Sequence, residues 1–142
     1  MRHQETSVEQ EGPQRTLLLI LVPMLLTFAI QRTILHHSSP ETHVFVGGYL
    51  VHHLFSGALL LIPSAFMIAF GSRYRPVRTL SRVLLGVGTA MVLDEIVFLV
   101  CTDGSGEAYR NRVSFWGAFL LIGLASATLW SIYRAARKWS TS

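Results

Sequence analysis

The stretch VFVGGYLVHHLFSGALLLIPSAFMIAF (residues 44–70) runs for 27 residues without an Asp, Glu, Lys or Arg. The stretch VRTLSRVLLGVGTAMVLDEIVFLVC (77–101) opens with Arg78 and Arg82 and then stays apolar except for Asp94 and Glu95. Two more runs flank this pair. Residues 16–35 carry one charge, Arg32, and residues 113–133 carry none. A helix needs about 20 apolar residues to cross the ~30 Å hydrocarbon layer. Lipid offers no partner to backbone N–H and C=O groups, so such runs must satisfy them internally, as helices do. The four runs predict an all-α fold, a four-helix transmembrane bundle.

Composition agrees. Hydrophobic residues make up 51% of the 142 and charged residues only 14%, against about 25% charged in soluble domains. An ordinary soluble enzyme and a disordered chain are both disfavoured. A single cysteine, Cys101, excludes an internal disulfide framework and any CxxC site. We read one membrane domain over residues 15–134, with tails at 1–14 and 135–142. The first run has Arg15 before an apolar core, Leu17 to Ile30. No A-x-A-like cleavage site follows, so it reads as a retained helix and not a signal peptide.

The net charge of +4 divides unevenly along the chain. With four spans, Arg2, Arg15, Arg73, Arg75, Arg78, Arg82, Arg134, Arg137 and Lys138 share one side. Arg32, Arg110 and Arg112 belong to the other. The positive-inside rule then places both termini in the cytoplasm of an inner-membrane protein. This topology accounts for the basic excess without nucleic acid.

Histidines and acids show the opposite bias. His36, His37, His43, His52 and His53 fall toward the outer side, as do Glu41, Asp94, Glu95, Asp103 and Glu107. On a helix beginning at residue 44, His52 and His53 would lie about 12–14 Å along its axis. Asp94 and Glu95 would lie about 9–11 Å from the outer end of the third span. Two pairs distant in sequence thus reach one depth, where ionisable groups need a partner or a cavity. Tyr49, His52, His53 and Ser56 recur at helical spacing as a polar stripe. Gly48, Gly57, Gly86, Gly88, Gly117 and Gly123 offer thin surfaces for close helix approach.

This donor set suits a divalent transition metal. Imidazole and carboxylate together fit zinc, iron or manganese, and four ligands suffice for zinc. His52, His53, Asp94 and Glu95 are the candidate ligands. His36, His37, His43 and Glu107 are possible additions that would allow a second ion. Tyr49, Ser56 and Arg32 would support the site; Arg32 either pairs with Asp94 or Glu95 or snorkels to the interface, and snorkelling is the default reading. In a hydrolytic version His52, His53 and Asp94 bind zinc and Glu95 is the catalytic base. Haem b is disfavoured. Its axial histidines come from two helices, and only His36 and His37 could partner the second span. The bland alternative is a hydrogen-bonded cluster that only orients helices. Tyr109 and Trp116 read as one interfacial aromatic belt, and Trp130, Tyr133 and Trp139 as the other.

The segments VHHLFSG (51–57) and LLGVGTAMVLDEIVFLV (84–100), with the loop holding Tyr109, resemble a group of uncharacterised small bacterial four-helix integral membrane proteins. That group carries an HHxxxG motif followed by a GxGxxxxxDE motif. His52, His53, Gly57, Gly86, Gly88, Asp94 and Glu95 occupy those positions. Where the group usually has Phe and an aromatic-rich run, this chain has Ile96, Val97 and Phe98. The resemblance covers about residues 45–120. It implies a four-helix membrane protein and brings no activity.

Three functions are compatible with these residues. One is a membrane metalloprotein, such as a hydrolase or oxidoreductase acting on an apolar or lipid substrate. Another is a proton or ion relay, or a transporter subunit using the same residues. The third is a non-catalytic membrane subunit. The bilayer is the expected partner, and a homo-oligomer is compatible with the glycine faces.

Overall fold

The structure, a computed structural model, describes residues 12–37, 45–46, 49–50, 52–70, 74–102 and 105–139. It is an all-α fold built on four helices. They are α1 (Pro13–His37), α2 (His53–Ala69), α3 (Arg75–Cys101) and α5 (Arg112–Trp139), with a single turn, α4 (Gly106–Tyr109), between the last two. α1, α3 and α5 are long and apolar enough to cross a membrane. Their outward faces present large apolar side chains, such as Leu26, Ile30 and Ile34 on α1 and Trp116, Leu120 and Leu124 on α5.

α2 corrects the expected span over 44–70. It begins at His53 and has 17 residues, about 25 Å of helix. Ahead of it, β1 (Phe45–Val46) pairs antiparallel with β2 (Tyr49–Leu50), with Val46 opposite Tyr49. In sequence, Gly47 and Gly48 separate the two strands. Glycine is poor in helices, and Val, Phe and Tyr fit extended backbone. Uninterrupted hydrophobicity concealed this local preference. At the other extreme, α5 runs beyond 133 to Trp139. Ala135, Ala136, Arg137 and Lys138 are good helix formers, and the basic pair suits the negative end of the helix dipole.

α3 is the hub. α1, α2 and α5 all pack on it, and α1 also meets α5. The core is small: Met24, Ala90 and Ile122 from three helices, with Leu21, Phe28, Leu93, Ala125 and Leu129 against them. α2 and α3 cross backbone to backbone. A Cβ on Gly57 would lie 2.9 Å from the Gly88 carbonyl oxygen, and one on Gly88 would lie 2.8 Å from that of Gly57. Gly86 similarly meets the backbone of Ile20 on α1, and Gly117 meets the Val97 side chain. Gly123 departs from the expected packing role, having nothing within 4 Å of its Cβ position.

Gly88→Ala should therefore push α2 off α3 and destabilise the protein by about 1–3 kcal/mol, the usual cost of overpacking. Gly123→Ala should be neutral, or stabilising by up to ~1 kcal/mol through helix propensity. Equilibrium unfolding in detergent measures both, and equal effects would contradict this crossing.

Candidate functional site: two carboxylates with different partners

Asp94 and Glu95 are neighbours on α3, so their side chains leave the helix about 100° apart. Asp94 faces α1, α4 and α5. Its Oδ1 lies 2.6 Å from Arg32 Nε, and its Oδ2 accepts from the Tyr109 hydroxyl. The side chain of Asp94 is 0% exposed and that of Arg32 only 9%. Snorkelling is thus the wrong default for Arg32. Its side chain turns inward because it finds a full set of acceptors there.

That set joins separate elements. Arg32 Nη2 donates to the carbonyl of Asp94 at 3.3 Å and to that of Ser114 at 3.3 Å. Arg32 Nη1 reaches the Tyr109 carbonyl at 3.4 Å. The guanidinium also lies over the rings of Tyr109 (5.0 Å), Phe115 (5.7 Å) and Phe28 (5.8 Å), where the π-face attracts a cation. Burial and the Asp94 charge push the Tyr109 phenol up from its ordinary range. Tyr109 therefore stays protonated as a donor. α1, α3, α4 and α5 meet at this one ion pair.

Glu95 faces α2. Its Oε1 lies 2.7 Å from His52 Nδ1, and its Oε2 accepts from the Leu54 N–H at 2.5 Å. The N-cap residue of α2, His52, makes no side-chain cap of its own. Glu95 supplies that cap from α3. A helix N-terminus leaves N–H groups unsatisfied and carries partial positive charge, so a carboxylate fits there. The depth match between the histidines and acids is real, but its cause differs from the expected one. His52 stands just before α2 and His53 is its first residue. α2 simply starts at the level of Glu95.

Phe98 stands between the two halves. Its ring lies 4.7 Å from that of Tyr109 and 6.2 Å from that of His52. His52 also borders Phe55 at 6.4 Å, and Phe55 is exposed.

The other expected site residues are elsewhere. His53 is exposed, and Ser56 is half-buried one turn along α2. Tyr49 is on β2, not on a helical stripe with His52. His36 and His37 are exposed at the end of α1, where their rings contact one another and His37 Nδ1 lies 2.8 Å from the Thr33 carbonyl. His43 and the Glu107 side chain lie outside the described residues. Among the described residues, no three His, Cys, Asp or Glu side chains form a group that could hold a metal ion. Both oxygens of each central carboxylate are engaged by N–H or O–H groups. The described set therefore does not fit a zinc, iron or manganese centre.

Sequence reasoning missed Tyr109, read as an interfacial aromatic, and Ser114. The available signal was a tyrosine in a short polar connection close behind a buried acid. No protein-family model, curated protein or solved structure matches this chain.

Removing one partner of a buried ion pair costs about 3–5 kcal/mol, whereas replacing both by apolar groups is often neutral. Arg32→Met and Asp94→Leu should each destabilise by that amount. The double variant should be more stable than either, as a double-mutant cycle of unfolding free energies would read out. Additive losses would refute coupling at this pair.

Proposed function

We propose that this chain is a small integral membrane protein whose working group is the His52 imidazole, set by Glu95 to exchange a proton at one membrane face. The carrying observation is the 2.7 Å contact between His52 Nδ1 and Glu95, with the His52 side chain 23% exposed and that of Glu95 4%. Glu95 accepts at both oxygens, as a carboxylate does. The shared hydrogen then rests on Nδ1, and Nε2 keeps its lone pair. An imidazole oriented in this way by a carboxylate is a base with a defined tautomer. Exposed Phe55 beside it suits an apolar or lipid molecule with an ionisable head group.

A relay through the whole bilayer is not supported by the other half of the bundle. The hydroxyls of Ser64, Ser81 and Thr89 each donate to a carbonyl of their own helix, from Leu61, Val77 and Leu85. We therefore read the site as one-sided. The basic residues favour cytoplasmic termini in the inner membrane, which puts His52 toward the outside. Asp94 and Arg32 hold the frame and take no part in proton exchange.

Nitrogen-15 NMR of the full chain in bilayers tests this, with the His52 signals assigned by loss in His52→Gln. The expected result is a hydrogen on Nδ1 and a bare Nε2 in the neutral ring, with the preference lost in Glu95→Ala. A neutral ring carrying its hydrogen on Nε2 in the unaltered protein would overturn the proposal. A tautomer unchanged in Glu95→Ala would leave a purely structural cluster as the correct reading.

A further inference from the structure

We propose that the opposite end of the bundle binds the head group of an anionic phospholipid, with Arg78 on α3 and Arg134 on α5 as the phosphate-binding side chains. Chain direction brings the start of α1, the start of α3 and the end of α5 to this end, and these three helices pack on one another. Arg15, Arg75, Arg78, Arg82, Arg134, Arg137 and Lys138 all lie here. The carboxylates among the described side chains, Asp94 and Glu95, are toward the other end.

Depth can be counted from the shared core of Ala90 and Ile122. Arg78 precedes Ala90 by twelve residues and Arg134 follows Ile122 by twelve. Both are therefore about 18 Å from that level along adjacent antiparallel helices. Two arginine positions at one height on contacting helices suit a phosphodiester, which accepts planar, paired N–H donors.

A second observation points to a missing acceptor. Arg78 Nε is buried and has no hydrogen-bond partner. A buried donor left unpaired is costly, and a charged one more so. A phosphate oxygen would satisfy it. Trp130 and Trp139 are exposed on α5 at this end, where indole rings favour the head-group layer.

Native mass spectrometry of the detergent-extracted full chain tests this with phosphatidylglycerol and phosphatidylcholine as probes. Phosphatidylglycerol should be retained preferentially. The variant Arg78→Gln/Arg134→Gln should lose roughly tenfold of that retention, since each basic residue near an anionic surface contributes on the order of one tenfold step or less. Arg110→Gln/Arg112→Gln, at the opposite end, should retain the lipid unchanged. Arg134→Gln alone, on an exposed helix face, should lose part of it without a folding cost. Equal retention of the two lipids would overturn the proposal, as would equal loss in the two double variants. Displacement of the lipid by equimolar inorganic phosphate would show a free-phosphate site instead.

Discussion

The ion pair between Arg32 and Asp94 is the constraint on which the loop end of this bundle depends. A fully buried aspartate among apolar helices is tolerable only with a matched cation and satisfied oxygens. Arg32 supplies the charge, and Tyr109 fills the remaining acceptor site. Arg32 in turn needs acceptors for its other N–H groups, and carbonyls of α3, α4 and α5 provide them. The positions of four elements follow from meeting one set of polar demands. The apolar core beneath, with small residues at its crossings, lets the backbones come close enough for that meeting.

Glu95 solves a different problem one residue later. α2 is short and begins below the end of α3, so its N-terminus falls against the side of its neighbour. A carboxylate placed there satisfies the Leu54 N–H, which has no partner within its own helix, and orients His52 with its second oxygen. The adjacent acids thus separate a sequestered frame from a half-open imidazole. This separation leaves the Arg32–Asp94 pair sequestered while the His52 side chain stays partly exposed.

Much of this was legible in the sequence. Spans 16–35, 77–101 and 113–133 fall within α1, α3 and α5, because length and apolarity decide membrane helices almost alone. Pairing the His52 region with the Asp94–Glu95 region was also readable, from shared depth and the cost of buried charge. That these four residues part company, Glu95 to His52 and Asp94 to Arg32 and Tyr109, was not. Helical geometry turns adjacent acids apart, and spacing alone does not tell which neighbour each one meets. The strand pair ahead of α2 was hidden because hydropathy outweighed the local preferences of the residues that form it. Pairing of Arg32 with Asp94 was one of two readings, and the interface was preferred for Arg32 and Tyr109 because single-residue habits carry no information about a partner 62 or 77 positions away in the chain.

The central claim is that Glu95 engages His52 directly, and Asp94 engages Arg32 and Tyr109, so that the proposed proton exchange at His52 involves no metal. Elemental analysis of the protein, extracted and purified without chelator, tests it most directly. The account predicts no stoichiometric transition metal. One equivalent of zinc, iron or manganese, lost on His52→Ala while the fold is kept, would contradict it.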